Sequence, residues 1–164
     1  MKLYDNKIFV GSDHAGFKLK AHIISHLKHL KCTVQDVGTS SEESVDYTDY
    51  VTLLVKAMLA EDEKPLGILI CGSGIGMSIA ANRYPQIRAA LCHSEDYAKI
   101  ARMHNDANVL ALGARYISPS TALDIITTFF TSSFEGGRHT GRLEKLAMLP
   151  NCQNSLNSHH SNNS

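Results

Sequence analysis

The stretch Leu66–Asn82, LGILICGSGIGMSIAAN, narrows the possible folds more than any other part of the chain. Leu66–Ile70 is a short apolar run that reads as a buried strand, and Met77–Asn82 has helical character. Between them lie Cys71 and three glycines at alternate positions, Gly72, Gly74 and Gly76. A strand that stops in a glycine-rich loop and restarts as a helix aims backbone N–H groups at one spot. That spot suits a phosphate, a carboxylate or a developing oxyanion. Glycine permits positive φ and close backbone approach there. Cys71 enters this field at the strand end, where N–H groups and a helix start would favour its thiolate. The spacing is not a dinucleotide fingerprint, because Met77 takes the third glycine position. No Gly-Lys-Ser/Thr follows, so it is not a nucleotide-phosphate loop either. Taken alone, the stretch also fits a tight turn with a buried, inert cysteine.

The rest of the chain alternates in the same way. Lys7–Gly11, Cys32–Val37, Arg88–Cys92 and Ala107–Leu112 read as further strands. The first helix carries Phe17, Ala21, Ile24, Leu27 and Leu30 along one face, and the second carries Val51, Leu54, Val55, Met58 and Leu59. Ser94 is a predicted N-cap, with Glu95 and Asp96 in the first turn. Ser118-Pro119 opens a helix with an apolar face of Ala122, Ile125, Ile126, Phe129 and Phe130. After Glu135-Gly136-Gly137, a last helix is expected over Arg138–Leu149, with Leu143, Leu146 and Ala147 on one face and Arg138, Arg142 and Lys145 on another. Five β-α units predict a five-stranded parallel sheet with helices on both faces, a Rossmann-like three-layer sandwich, plus a C-terminal helix. Residues 1–149 are expected to form a single domain. The Asn/Ser/His-rich segment 150–164 is expected to be a disordered, non-catalytic tail.

Ligands of such sheets sit beyond the carboxyl ends of the strands. Asp13-His14, Cys71–Gly76 and Arg115 fall on that edge. Charge balances at 16 basic against 16 acidic residues, so neither nucleic acid nor an anionic membrane surface is expected as a partner. No apolar run approaches the roughly 20 residues of a spanning helix, and the first residues lack a leader pattern. The four cysteines lack metal-site spacing, and reduced thiols in the cytoplasm fit them best. His22, His26 and His29 share a helix face, but no acidic residue completes a zinc motif, so that face is read as solvated and no metal is expected.

Five motifs now stand in order: VGSDHAG at 10–16, DVGT at 36–39, ILICGSGIGMSIAAN at 68–82, HNDANVLALGAR at 104–115 and EGGRHTGR at 135–142. Over about residues 7–149 they resemble the type B ribose-5-phosphate isomerases. Isomerases of allose 6-phosphate and galactose 6-phosphate share most of these features. Ser73 stands where many relatives carry threonine, which preserves the hydroxyl. The resemblance implies interconversion of ribose 5-phosphate and ribulose 5-phosphate, in the non-oxidative pentose phosphate branch, without metal or organic cofactor.

It also implies roles. Cys71 would be the base that moves a proton between C2 and C1. The amides of Gly72, Ser73, Gly74, Ile75 and Gly76, with the Ser73 hydroxyl, would hold the enediolate oxygen. His104 would open the furanose, with Asp13 nearby as its polar partner. His14, Arg115, Arg138 and Arg142 match phosphate-side positions, and Tyr47 and Asn105 match sugar-binding ones. Each residue also has a plainer reading. His14 could cap the first helix, His104 could offset its helix C-terminus, and the paired arginines could be a solvated face. Two other functions stay open: isomerisation of a hexose 6-phosphate, and a phosphate- or nucleotide-binding regulatory module that has no use for Cys71 or His104.

The expected partners are a small-molecule sugar phosphate and a second copy of the chain, as a homodimer or dimer of dimers with shared active sites. Strand geometry agrees. Cys71 ends its strand, whereas His104 and Asn105 precede theirs, and that strand spans roughly 20 Å at about 3.3 Å per residue. A two-fold partner can bring the opposite sheet edge to the sugar.

Overall fold

The computed structural model describes residues 7–149, so the predicted tail from position 150 lies outside the described residues. The strands are β1 (Ile8–Ser12), β2 (Val34–Asp36), β3 (Leu66–Cys71), β4 (Ala89–Leu91) and β5 (Val109–Gly113). The helices are α1 (Phe17–His29), α2 (Tyr47–Leu59), α3 (Ile75–Ala81), α4 (Glu95–Asn105), α5 (Pro119–Thr131) and α6 (Thr140–Ala147). The sheet runs β2-β1-β3-β5-β4, and every neighbouring pair is parallel. The sandwich architecture is therefore as expected.

Side chains alternate across the pleat, so each strand feeds two cores. Ile8, Val10, Ile68, Ile70, Leu110 and Leu112 face one layer with α1, α4 and α5. Phe9, Leu69, Cys71 and Val109 face the other, with α2 and α3. Because both faces are covered, β1, β3 and β5 read as continuous apolar runs rather than as alternating ones. The chain leaves β1 in opposite directions for β2 and β3, so the carboxyl ends of β1 and β3 flank a crevice. Asp13 and Cys71 stand on its two sides. The Asp13 N–H donates to the Ile70 carbonyl at 3.1 Å and ties those ends together.

Several sequence expectations shift in detail. The buried face of α1 is Leu19, Lys20, Ile23, Ile24 and Leu27; Phe17 and Leu30 are only partly covered and Ala21 is exposed. The reason is Lys20, whose stem is buried while its ammonium pairs with Asp36 at the end of β2. On α2 the stripe holds through Met58, but Leu59 is half exposed. Ser94 has the extended backbone of an N-cap, yet its side chain makes no capping hydrogen bond. Ser118 does cap α5, accepting from the Thr121 N–H at 3.1 Å, with Pro119 in the first turn.

The last helix starts later than expected. Gly136 and Gly137 have φ of +67° and +56°, and Gly137–His139 forms a 3-10 turn before α6 begins at Thr140. Arg138 and Arg142 thus straddle that junction instead of sharing one α-helical face. α6 buries none of its residues.

Candidate active site

The carboxyl edge gathers one group of the expected residues. Cys71 closes β3, is 5 % exposed, and its Sγ accepts the Gly74 N–H at 3.1 Å. That hydrogen bond strengthens as the sulfur gains negative charge. Gly74 has φ of +76°, and a Cβ there would meet Leu91 Cδ1 at 2.5 Å and the Leu112 carbonyl carbon at 2.9 Å. Only glycine can fold the loop tightly enough to bring this amide onto the thiol. The Ser73 hydroxyl accepts from the Ile75 N–H at 3.3 Å at the start of α3. Two of the amides expected to serve an oxyanion are thus held locally, by Cys71 and Ser73.

The neighbours of this loop come from three other segments. The Ala114 N–H donates to the Cys71 carbonyl at 2.9 Å and the Arg115 N–H to that of Gly72 at 3.1 Å, which fastens the post-β5 turn to the loop. The Arg115 guanidinium lies over Gly72, its Cζ 3.1 Å from where a Cβ would stand. The Tyr47 ring, at the start of α2, packs the same way against Gly76 at 2.8 Å. Asp13 is buried and its carboxylate accepts the Gly16 N–H at 3.0 Å. His14 is pinned by the Val45 N–H, which donates to its Nδ1 at 3.2 Å. Asp13, His14, Tyr47, Cys71–Gly76 and Arg115 therefore share one edge of the sheet.

His104, Asn105, Arg138 and Arg142 do not join them. His104 and Asn105 end α4, which leads into the amino end of β5. Arg88 holds that helix end, its Nε donating to the carbonyls of Asn105 and Asp106 at 3.1 and 2.9 Å. The Asp106 carboxylate, on a residue with φ of 43°, pairs with Arg88 and Arg102. The Glu135 N–H donates to the Met103 carbonyl at 3.0 Å and brings the EGGRH segment alongside. Within one chain, the length of β5 separates the edge that carries Asp13 from the one that carries His104. The four expected phosphate ligands divide likewise, His14 and Arg115 against Arg138 and Arg142.

Two residues of this second group were not singled out from the sequence. His139 is buried, and its ring stacks on that of His104 with centroids 4.3 Å apart and planes 10° from parallel. Glu135 Oε2 lies 3.7 Å from His104 Nε2 and 3.8 Å from His139 Nε2. A Glu–His pair four apart in EGGRHTGR was the available signal. The ligand atoms of these three residues lie within 4.8 Å of one another. An ion about 2.0–2.1 Å from each imidazole nitrogen would have to lie near both ring planes. Nearly parallel, stacked planes do not converge in that way, so this arrangement is poorly suited to a metal.

Burial, then the positive neighbours His104, Arg138 and Arg142, hold the His139 imidazole below the usual histidine value, against the opposing pull of Glu135. Such a group binds its proton more readily in the unfolded chain. Its contribution to stability is complete above about pH 6.5 and is lost as pH falls. Thermal unfolding of wild type should therefore weaken more between about pH 7.5 and 5 than that of His139→Phe. Parallel pH curves would show that His139 contributes nothing to acid sensitivity.

Fold and site together define a parallel α/β sandwich with a thiol and a glycine-rich loop at the carboxyl edge of its sheet. The chain belongs to the Ribose/Galactose Isomerase family, whose model matches residues 8–146. It is 42% identical over 148 residues to ribose-5-phosphate isomerase B of Escherichia coli, covering 90% of this chain and 99% of that one. A ribose 5-phosphate isomerase structure from Thermotoga maritima superposes with a TM-score of 0.84 at 48% identity, covering 87% of this chain and 98% of that one. Ribose-5-phosphate isomerase B of Mycoplasma genitalium, solved with bound ribulose-5-phosphate, gives 0.82 at 41% identity over 86% and 93% of the two chains. No helix of the described residues is long and apolar enough to cross a membrane.

Proposed function

We propose that this protein interconverts D-ribose 5-phosphate and D-ribulose 5-phosphate through an enediolate, at sites shared between two subunits in the cytoplasm. The observation that carries the chemistry is Cys71, a thiol at a sheet's carboxyl edge with a backbone N–H aimed at its sulfur. The named activity of the E. coli relative and the ribulose-5-phosphate in the Mycoplasma structure supply the substrate.

Cys71 takes the C2 proton of the open-chain aldose and returns it to C1, while the O2 hydroxyl proton passes to O1 in the enediolate. The remaining loop amides and the Ser73 hydroxyl stabilise the negative oxygen; one such donor is typically worth about 2.7–4 kcal/mol of barrier. Before that, the furanose must open, with a proton delivered to the ring oxygen and one taken from the anomeric hydroxyl. His104 of the partner subunit delivers the first and Asp13 faces the second. His14 and Arg115 from one chain meet Arg138 and Arg142 from the other at the phosphate, while Tyr47 and Asn105 hold the sugar.

Surface chemistry supports the pairing. Ile75 and Ile79 beside the Cys71 loop are 52 % and 62 % exposed, an apolar ridge on α3. A groove of about 860 Å³ runs beside Asn105 and is lined by Val51, Ala101, Leu143 and Leu146 among others. A two-fold axis that seats the ridge of each subunit in the other's groove covers both surfaces and brings His104 to the partner's Cys71.

A coupled assay with ribose 5-phosphate, allose 6-phosphate and galactose 6-phosphate tests the substrate. The pentose phosphate should be turned over with the highest kcat/KM; preference for a hexose phosphate, or no turnover at all, would contradict the proposal. In the same assay Arg142→Ala should raise KM about tenfold or more, the worth of one charge-assisted hydrogen bond, with a smaller effect on kcat. An unchanged KM would make Arg142 an ordinary surface charge.

A further inference from the structure

His104 is held from two sides. Behind it lies the buried ring of His139, in near-parallel contact. Beside it lies Glu135, whose Oε2 sits 3.7 Å from His104 Nε2 and 3.8 Å from His139 Nε2. The Glu135 backbone is fastened to the carbonyl of Met103, the residue before His104. The Arg138 Nε–H points at His139 Nε2 at 3.4 Å.

We propose that Glu135 and His139 are positioning residues for His104: they fix its ring plane and leave it as the one imidazole of the stacked pair that carries a proton to the sugar. This rests on the reading that His104 opens the furanose. Two stacked imidazolium rings would repel, so charge on one ring disfavours charge on the other. The Arg138 N–H requires a lone pair on His139 Nε2, which places the proton of that neutral ring on Nδ1. Arg142 adds a second positive charge around His139, and burial further disfavours charging it. His104 is different: its side chain is 34% exposed and it faces the carboxylate of Glu135. The surroundings thus direct the mobile proton to the ring that can reach a ligand. The flat face of His139 also keeps that ring from rotating away, as partners of a reacting imidazole commonly do.

The test separates ring opening from carbon chemistry. Ribulose 5-phosphate has its 5-oxygen esterified and stays open-chain, so exchange of its C1 hydrogen with D2O needs the carbon base but no ring opening. Consumption of ribose 5-phosphate needs both. Both rates are measured on the full chain for wild type, His104→Ala, Glu135→Gln, His139→Ala and His139→Phe. Glu135 is a half-exposed side chain, so Glu135→Gln should fold normally. Glu135→Gln and His139→Ala should lose about tenfold or more of ribose 5-phosphate kcat while retaining C1 exchange. His139→Phe, which keeps a flat ring against His104, should recover most of the loss seen in His139→Ala. Equal loss of both rates in Glu135→Gln and His139→Ala, or no loss in either, would overturn the inference. If His104→Ala itself leaves the ratio of the two rates at the wild-type value, the ring-opening reading falls and the inference with it. A ratio changed in His104→Ala alone removes only the inference.

Discussion

Cys71→Ala should lower turnover of ribose 5-phosphate by roughly 10³–10⁴-fold or more, while sugar phosphate still binds. The sulfur lies at the end of β3 under the Gly74 amide, and the proposal makes it the carbon base. Alanine keeps the strand and the loop but leaves nothing that can take a proton from carbon. Exchange of the ribulose 5-phosphate C1 hydrogen should vanish together with turnover, because both pass through the same enediolate. No other described cysteine can substitute. Cys32 and Cys92 lie in the opposite core layer from Cys71, and burial pushes the Cys92 thiol up to about 12. Alkylation should accordingly inactivate by modifying Cys71, with substrate protecting, and leave Cys92 unmodified. Steady-state rates and calorimetric binding of ribulose 5-phosphate check both halves. Turnover near wild type in Cys71→Ala would remove the carbon-base assignment.

His104→Ala should lose roughly 10²–10⁴-fold of ribose 5-phosphate turnover, the usual range for general acid–base help, yet retain C1 exchange on ribulose 5-phosphate. The two variants therefore carry different signatures: one loses both rates, the other only the rate that starts from a closed ring. Loss of exchange in His104→Ala to the same degree would mean that the histidine serves the carbon step or holds the fold.

Much of this frame was legible from residues alone, for a physical reason. Strands covered on both faces must be apolar throughout, so Leu66–Ile70 and Ala107–Leu112 announced themselves, and the glycines after Cys71 marked where the first of them stops. Strand order was not legible, since hydrophobic pattern says which residues are buried but not which strand lies beside which. The phase of α1 was misread because Lys20 counts as polar by type while its stem fills the core and its ammonium reaches Asp36. The spacing of Arg138 and Arg142 promised a shared helical face, but the positive φ of Gly136 and Gly137 starts a 3-10 turn there instead. That Asp13 follows a strand and His104 precedes one was already legible from the β-α alternation; which strands lie between them was not. Glu135 and His139 stood in a quoted motif, but their meeting with His104 depends on the tertiary contact between Glu135 and Met103.

The central claim is that one working site takes Cys71 from one subunit and His104 from another. Cys71→Ala and His104→Ala proteins, each inactive toward ribose 5-phosphate, are mixed under conditions shown by mass-labelled subunits to exchange chains. In a mixed dimer one of the two sites carries both intact residues and the other carries neither. Equal mixing makes about half of the dimers mixed, so activity should return to about a quarter of wild type. Exchange demonstrated with no return of activity would place both residues in the same subunit and contradict the account.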